Sequence, residues 1–211
     1  MTLQAHRLTC IRGDLELFNN LSFELEPGDA LWVAGTNGSG KTSLLRMLCG
    51  LAVPAEGEVR WDGQNIRHLR DEFCSKLMYL GHLNGVKDDL LAWENLVVSS
   101  TLAGNPVSSD DAHDALEALG LGRAADLPTR ALSQGQRKRV ALARLSFSMS
   151  MPLWILDEPF TALDKSAVAA LCGTISKHVA QGGMVVYTTH QEIDLSARRA
   201  LRLDMNEGRL C

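Results

Sequence analysis

The segment that most constrains the fold is Gly-Thr-Asn-Gly-Ser-Gly-Lys-Thr at residues 35–42. It follows a strand-like apolar run at residues 30–33 and precedes a helical run at residues 43–49. The glycines let the backbone wrap closely, so that successive N–H groups point at one anion, and the new helix adds its positive N-terminal end. A chance glycine-rich turn is the alternative. Lysine and threonine directly before the helix favour a loop that binds phosphate.

Two side chains of this segment carry specific chemistry. Lys41 can reach the β- and γ-phosphates of a nucleotide, and the Thr42 hydroxyl can ligate Mg²⁺. The loop as a whole predicts a nucleotide site built from Gly35, Thr36, Asn37, Gly38, Ser39, Gly40, Lys41, Thr42 and Ser43.

A second candidate follows the continuous apolar run Leu-Trp-Ile-Leu at residues 153–156, which is typical of a parallel strand buried on both faces. Asp157 and Glu158 come directly after it, where a carboxylate lies at the ligand edge of a parallel sheet. Asp157 is expected to hold Mg²⁺, and Glu158 to orient the attacking water or accept its proton. A solvated loop entrance is the alternative if this pair is taken alone.

Composition limits the class of protein. The chain has 211 residues, 45% of them apolar, with a net charge of −4, which suits one domain and gives no basic field for nucleic acid. No apolar run approaches the roughly 18 residues of a membrane span. The five cysteines (residues 10, 49, 74, 172 and 211) are odd in number and scattered, which favours reduced thiols over disulfides or a zinc site.

The hydrophobic pattern predicts how strands and helices are arranged. Residues 21–25 alternate as a half-buried strand, and residues 58–63 end in Asp-Gly as a hairpin does. Helices are expected from about Ser109 to Gly120, from Gln134 to about Met149, and from the Asp164 cap to the Gly-Gly break at residues 182–183. A strand at residues 184–187 follows. This alternation predicts an α/β core with a mainly parallel sheet.

A third segment, Leu-Ser-Gln-Gly-Gln at residues 132–136, opens a predicted helix. Its serine hydroxyl and free N–H groups form a second possible anion site. An ordinary serine N-cap is the alternative. One nucleotide needs only one phosphate loop, so a second anion site suggests a nucleotide held between two molecules.

These motifs together resemble the ATP-binding cassette (ABC) ATPases over nearly the whole chain. Residues 35–42 look like the Walker A loop, residues 132–136 like the signature with Gln134 where glycine is commoner, and residues 153–158 like Walker B. Residues 161–164 look like the D-loop, and His190 like the switch histidine. The resemblance implies a P-loop NTPase core with a mainly parallel sheet, N-terminal antiparallel strands and a helical sub-lobe. It implies one domain, 1–211, with 1–82 and 150–211 as the core and 83–149 as the helical lobe.

The same resemblance implies an ATP hydrolase that uses ATP and Mg²⁺ and works as a head-to-tail homodimer. Each ATP would contact one chain's phosphate loop and the other chain's Ser133, Gln134, Gly135 and Gln136. His190 would bond the γ-phosphate, and Asp164 would link the two sites unless it is only a helix cap.

The sequence departs from the family at two positions. His82 stands where a glutamine is usual, and its imidazole can still bond to water at the metal or donate to phosphate. A structural histidine is the alternative. The family usually stacks an aromatic residue of the N-terminal strands on adenine, but Cys-Ile-Arg-Gly at residues 10–13 offers none at that place, so Arg12 is expected to stack on the base.

Local features resemble the cytochrome c maturation (haem exporter) ATP-binding branch, among them Tyr-Leu-Gly-His at residues 79–82 and Trp-Glu-Asn-Leu at residues 93–96. This branch implies a peripheral subunit on the cytoplasmic face of the bacterial inner membrane. Its partners would be a polytopic membrane subunit and other cytochrome c maturation proteins, with no nucleic acid. ATP would drive haem export or release of a haem chaperone. The histidines are dispersed, so no direct haem binding is expected.

Two further expectations concern surfaces. The residues Leu83, Val86, Leu90, Leu91 and Trp93 are expected to include exposed contacts for the membrane subunit, with packing inside the helical lobe as the alternative. Arg137, Lys138 and Arg139 are expected to form a solvated helix face.

Three alternative functions stay open: another ABC importer or exporter, a soluble ABC ATPase, and a different P-loop enzyme such as a kinase or GTPase. A GTPase lacks support because no guanine-reading motif is present, and a small kinase has no use for the segment at residues 132–136.

Overall fold

The structure, a computed structural model, describes residues 1–210, so the thiol of Cys211 lies outside the described residues. The strands are β1 (Leu3–Arg12), β2 (Leu15–Leu25), β3 (Asp29–Ala34), β4 (Glu56–Trp61), β5 (Gln64–Asn65), β6 (Leu77–Leu80), β7 (Leu153–Leu156), β8 (Met184–Thr188), β9 (Arg199–Asp204) and β10 (Arg209–Leu210). The α-helices are α1 (Lys41–Leu48), α2 (Ile66–Leu69), α3 (Asp71–Cys74), α4 (Ala92–Leu102), α5 (Ser109–Ala118), α6 (Gln134–Ala143) and α7 (Lys165–Ala180).

An antiparallel sheet with the order β2-β1-β4-β5 forms the N-terminal part. Within β2, residues 21–25 alternate between buried and exposed, as the sequence pattern predicts. Asp62 and Gly63 both have positive φ, 50° and 80°, and they join β4 to β5 as the predicted tight hairpin.

The second sheet has the order β10-β9-β3-β8-β7-β6. The strands β9, β3, β8, β7 and β6 pair in parallel, and β10 is antiparallel to β9. Every residue of β7 and β8 is buried, which fits strands with both faces covered. The fold is therefore the α/β P-loop architecture with a mainly parallel sheet that the motifs predict.

The side chains of β7 alternate between two hydrophobic clusters. Leu153 and Ile155 join a core that contains α1 and the antiparallel sheet. Trp154 and Leu156 join a second core with α7 on the opposite face of the sheet. Because successive strand residues point to opposite faces, this short apolar run ties both layers together. A third cluster is built mainly by α4, α5 and α6.

The observed helix ends agree with those predicted from the sequence, except for the end of α6. Ser108 caps α5, Asp164 caps α7, and Gly120 at φ 70° follows the end of α5. The prediction that one helix continues from Gln134 to about Met149 is wrong.

The α6 helix ends at Ala143 and continues as a 3-10 helix, Arg144–Phe147. The Ser148 hydroxyl donates to the carbonyl of Arg144 at 3.0 Å, and Trp154 Nε1 donates to the carbonyl of Ser148 at 3.0 Å. Side-chain bonding of this kind competes with helical hydrogen bonds and tightens the last turn.

A buried carboxylate fastens the start of β3. Asp29 is 0% exposed and accepts hydrogen bonds from Arg198 at 3.1 Å and from Arg199 Nε at 3.0 Å. Burial acts to raise the pKa of Asp29, but the hydrogen bonds and charge of Arg199 outweigh it and hold that pKa below its ordinary value. Strand β9 is thereby held beside β3, the strand that leads into the phosphate loop.

Candidate functional site

The phosphate loop joins the end of β3 to the start of α1. Gly35, Gly38 and Gly40 have φ values of 149°, 85° and 94°. A Cβ on Gly40 would lie 3.2 Å from Leu17 and 3.1 Å from Phe18, so the loop packs tightly against β2. These positions require glycine both for the backbone conformation and, at Gly40, for space.

Lys41 is folded against the loop. Its Nζ donates to the carbonyl oxygens of Gly35 at 2.7 Å and Thr36 at 3.0 Å, and the residue is only 9% exposed. The loop is anchored on its other side by the C-terminal turn, where Asn206 Oδ1 accepts from the hydroxyl of Thr36 at 3.0 Å and from its N–H at 3.3 Å. The Lys41 ammonium therefore lies against the loop, and hydrogen bonds with Lys41 and with Asn206 hold the loop conformation from two sides.

The carboxylates after β7 lie beside the loop. Thr42 Oγ1 donates to Asp157 Oδ2 at 2.9 Å, and Thr188 Oγ1 donates to Asp157 Oδ1 at 2.8 Å. The Glu158 N–H donates to the same Thr188 hydroxyl at 2.8 Å. The strands β3, β8 and β7 are neighbours and parallel, so their carboxyl ends meet at one edge of the sheet. This explains how the sequence brings distant residues together.

Glu158 has an unusual conformation and environment. Its φ is 50°, a left-handed value that costs energy for a residue with a side chain. Its Oε1 is buried and has no hydrogen-bond partner among the described residues. His190 Nε2 lies 3.4 Å from that oxygen, without hydrogen-bond geometry. A carboxylate oxygen held this way is free to accept a proton from a water molecule.

One cavity of about 480 Å³ joins these groups. Its lining includes Arg12, Asn37, Gly38, Gly40, Lys41, Thr42, Ser43, His82, Asp157, Glu158 and His190. Arg12, Leu15 and Leu17 also line the cavity, and no Phe, Tyr or Trp does so within residues 1–210. His82 is exposed at the same cavity, so the structure brings it to the loop.

The segment at residues 133–136 lies outside this cavity and forms a second polar group. Ser133 caps α6, with its Oγ accepting from the Gln136 N–H at 3.2 Å, and Gln136 Oε1 accepting from the Ser133 N–H at 2.9 Å. A Cβ on Gly135 would lie 2.9 Å from the carbonyl oxygen of Ala162, so the turn at residues 161–164 packs against it. Ser133 and Gln134 are exposed.

Asp164 has two partners in this group. Its Oδ1 accepts from the Ala167 N–H at 2.8 Å as the cap of α7, and its Oδ2 accepts from Arg139 at 2.6 Å. The helix-cap role that the sequence offered as an alternative is therefore present, and it coexists with an ion pair to α6.

The prediction of a solvated basic face at residues 137–139 is wrong. Arg137 pairs with Asp88 at 2.9 Å, and Arg139 pairs with Asp164. Lys138 is 5% exposed, and burial lowers its pKa, although the charges of Asp157 and Glu158 act to raise it. The two arginines are therefore paired within the chain and Lys138 is buried, because α6 packs both against the core of the sheet and against α4 and α5.

Two positions near the cavity escaped sequence reasoning. Thr188 ends β8, so the rule that placed Asp157 at the sheet edge could have identified it. Asn206 lies in the turn between β9 and β10, and no motif marks it.

The residues that the sequence predicts to contact a membrane subunit differ in exposure. Leu83 is 85% exposed, whereas Val86, Leu90, Leu91 and Trp93 are half-buried. Val86 and Trp93 pack against the core of the helical segment, as the alternative reading held. Within residues 1–210, no helix has the length and apolar character that crossing a bilayer requires.

Comparisons with known proteins identify the family of the chain. A protein-family model described as ABC transporter matches residues 18–161. A cytochrome c biogenesis ATP-binding export protein CcmA from Nitrosospira multiformis is 56% identical, with 97% of this chain and 98% of that protein covered. Its namesake from Haemophilus influenzae is 47% identical, with 95% and 94% covered.

Solved structures show the same fold. A putative ABC transporter ATP-binding protein from Pyrococcus furiosus has a TM-score of 0.82 at 22% identity, with 98% of both chains covered. An ATP-binding cassette solved as a dimer in a post-hydrolysis state with ADP and Pi has a TM-score of 0.77 at 24% identity, covering 90% of this chain and 88% of that one. With the family match over more than half of its length, the chain belongs to the ABC transporter family and, within it, to the cytochrome c biogenesis ATP-binding export proteins.

Proposed function

We propose that the chain is the ATP-hydrolysing subunit of a bacterial inner-membrane ABC complex in cytochrome c biogenesis. ATP binding and hydrolysis in a head-to-tail dimer would drive haem export or the release of a haem chaperone. The observation that carries the proposal is one cavity lined by Lys41, Thr42, Asp157, Glu158 and His190. The names of the relatives supply the pathway.

The phosphates of ATP fit the loop at residues 35–42. Lys41 already lies under the carbonyls of Gly35 and Thr36, where its ammonium can turn toward β- and γ-phosphate oxygens. The start of α1 adds N–H donors and a positive helix end. Arg12 and the leucines beside it form the surface on which we place adenine, with the guanidinium plane against the base.

The oxygen atoms of Thr42 and Asp157 fit Mg²⁺. Their hydrogen-bonded Oγ1 and Oδ2 are hard oxygen donors next to the phosphate loop, and Mg²⁺ prefers oxygen ligands. When bound, Mg²⁺ neutralises charge on the phosphates. We assign His82 a hydrogen bond to water or phosphate at the same place, because its ring lines the cavity.

Glu158 and His190 act on the attacking water and the γ-phosphate. Glu158 Oε1, which has no hydrogen-bond partner, orients the water and takes up its proton. His190 lies 3.4 Å away and is exposed at the cavity, where its Nε2 can donate to a phosphate oxygen. The N–H bond to Thr188 holds the backbone of Glu158 in place during this step.

A second copy of the chain completes each site. Ser133 and Gln134 are exposed and do not line the cavity of their own chain, so the Ser133 O–H and the Gln134 N–H can donate to another molecule's ATP. Gly135 and Gln136 shape this turn, and Asp164 lies behind it. The dimeric relative with ADP and Pi supports a dimer of this kind.

Two different lobes of the chain would bind ATP and complete the ATP site of the partner molecule. We assign residues 1–82 and 150–211 to a core that holds the phosphate loop, and residues 83–149 to a helical lobe that presents the signature. The separate hydrophobic cluster of α4, α5 and α6 supports this division.

The membrane partner would bind beside His82. A cavity of about 430 Å³ there is lined by Leu51, Leu83, Arg46 and Arg144, and the two leucines are 57% and 85% exposed. Exposed apolar side chains flanked by arginines suit a segment of a polytopic subunit. The chain would then be a peripheral protein at the cytoplasmic face, working with other maturation proteins and without contacting haem or nucleic acid itself.

The test is Glu158→Gln with ATP and Mg²⁺. Hydrolysis should fall by about 100-fold or more, and the protein should accumulate as an ATP-bound dimer on size-exclusion chromatography. Glu56→Gln, at an exposed position of β4, is the matched control and should behave like the wild type. Normal hydrolysis by Glu158→Gln without a trapped dimer would overturn the mechanism. Co-purification from membranes, with identification of a polytopic subunit, tests the proposed complex.

A further inference from the structure

A second cavity, of about 510 Å³, lies at the opposite end of α1 from Lys41. Its lining includes Cys49, which follows the last residue of α1, and the α2–α3 residues Arg67, Arg70 and Cys74. It shares no lining residue with the nucleotide cavity. The eight residues of α1 correspond to roughly 12 Å, so the two cavities are separate places in the molecule. The volume lies within the range of small-molecule sites, roughly 300–1,000 Å³.

The charge of this cavity has one sign. Arg67, His68 and Arg70 line it, and no carboxylate does so within residues 1–210. None of the three forms an ion pair with another described residue. Asp71 and Glu72 follow Arg70 in the chain but do not line the cavity.

Neighbouring polar groups do not neutralise these cations. The nearby carboxylate of Glu58 is held by Arg60 and by the side chain of Asn65. Asn65 Oδ1 accepts from the Arg67 N–H at 2.9 Å, so it caps α2. Three carbonyls in the last turn of α1 also have backbone partners, because Leu45 accepts from the Cys49 N–H at 3.0 Å, Arg46 from Leu51 at 2.8 Å and Met47 from Gly50 at 2.9 Å.

The two arginines are carried on a constrained backbone. Arg70 joins α2 to α3 with φ 39° and ψ −109°, a conformation that a residue with a side chain rarely adopts. Its N–H bonds to the carbonyl of Ile66 at 3.1 Å, and its carbonyl accepts from Cys74 at 3.0 Å. Arg67 and Arg70 are three residues apart along this turn and line the same cavity.

We propose that this cavity is a second anion site, which binds a phosphate-class oxyanion through Arg67, His68 and Arg70. Planar guanidinium groups match the oxygens of phosphate and can each donate two hydrogen bonds, and the histidine adds a further donor. The phosphate belongs either to a soluble phosphate ester or to the headgroup of an acidic phospholipid. The chemistry at the cavity is the same for both.

Cys74 offers a local readout that does not depend on ATP hydrolysis. It is exposed and lines the cavity, whereas Cys49 is buried and burial raises its pKa well above the ordinary value. Cys74 is therefore the thiol of this cavity that alkylating reagents reach. An anion bound beside it covers the sulfur, so alkylation should slow.

The experiment measures alkylation of Cys74 in the full chain by neutral iodoacetamide, quantified by peptide mass spectrometry, with and without inorganic pyrophosphate. Pyrophosphate should slow the wild-type reaction by about fivefold at low salt. The Arg67→Gln/Arg70→Gln variant should lose this protection, while Arg123→Gln, at an exposed position in the helical segment, should keep it. Without pyrophosphate, anionic iodoacetate should react faster relative to iodoacetamide at Cys74 in the wild type than in the double variant.

Vesicles distinguish the two sources of phosphate. Protection by phosphatidylglycerol vesicles, with none from phosphatidylcholine vesicles, assigns the site to a lipid headgroup. Protection by pyrophosphate alone assigns it to a soluble ester. If neither probe protects Cys74, or if the double variant is protected as strongly as the wild type, the site does not exist. Should the double variant fail to fold, the vesicle and pyrophosphate results on the wild type still decide. None of these outcomes bears on the proposed ATPase function.

Discussion

The hydroxyl of Thr42 donates a hydrogen bond to the carboxylate of Asp157 at 2.9 Å, across 115 positions of the chain. Thr42 is the second residue of α1, and Asp157 follows the buried strand β7, which lies two strands from β3 in the sheet. Their contact places side by side the two oxygen atoms that we propose as Mg²⁺ ligands. Preorganisation of this kind removes part of the cost of assembling a charged site.

Replacing Thr42 with valine keeps its shape and removes the hydroxyl. Because one of the two adjacent oxygen donors is lost, we expect ATP hydrolysis to fall by about 100-fold and to require more Mg²⁺. A phosphate-release assay across a Mg²⁺ titration measures both effects. Thr101→Val, at an exposed position in α4, should leave them unchanged. A Thr42→Val protein with wild-type activity would remove this pair from the mechanism.

Asn206 is expected to act as a positioning residue for the phosphate loop. It accepts two hydrogen bonds from Thr36, and Asn206→Ala would release that side of the loop. We expect KM for ATP to rise by about threefold to tenfold, with a smaller change in kcat, because one lost anchor is worth about 1 kcal/mol. Steady-state kinetics test this. Glu207→Ala, the exposed neighbour, is the control, and equal effects from both variants would refute the role.

Asp164 combines a helix cap with an ion pair, and two substitutions separate them. Asp164→Asn keeps an effective cap but loses the charge that pairs with Arg139. Asp164→Ala loses both. We expect the alanine variant to be less stable than the asparagine variant by about 1 kcal/mol, the usual value of an N-cap. Urea unfolding measures the difference. Equal stabilities would mean that the cap contributes little.

His178 should make stability depend on pH. Its ring stacks on Trp154 with centroids 3.9 Å apart, the residue is 1% exposed, and burial lowers its pKa from 6.5 to about 4. As the pH falls from 6.5 to about 4, the unfolded chain therefore gains a proton here that the folded chain does not bind. The free energy of unfolding contributed by this residue is complete above the unfolded pKa and decreases as the pH falls.

The matched variant is His178→Phe, which keeps an aromatic ring against Trp154. Urea unfolding at about pH 7 and about pH 5 should show a larger loss of stability on acidification for the wild type than for the variant. Titration of all other groups is common to both proteins, so the difference isolates His178. Identical pH dependence would show that this histidine does not titrate abnormally.

Sequence reasoning located the parts of the site that depend on local motifs and on the rule for strand ends. The local sequence of residues 35–42 favours the observed loop conformation, because glycines occupy the positions where φ is positive. Asp157 and Glu158 follow a run whose length and composition are those of a buried parallel strand. For these elements, local pattern and tertiary position agree.

Long-range packing explains what the sequence did not reveal. The basic run at residues 137–139 has the composition of a solvated face, yet Lys138 is buried because α6 packs both against the core of the sheet and against α4 and α5. The end of α6 depends on Ser148 and on Trp154, which lies in a different element. No local pattern contains such contacts.

The shared hydroxyl of Thr188 has a consequence for how this enzyme can vary. One oxygen receives the Glu158 N–H and also donates to Asp157, at 2.8 Å each, and the same chain segment continues two residues later to His190. The positions of Asp157, Glu158 and His190, to which we assign different chemical roles, thus all depend on the end of β8. A substitution that displaces the end of β8 would move Asp157, Glu158 and His190 together. The distances between these three residues therefore cannot be changed one residue at a time.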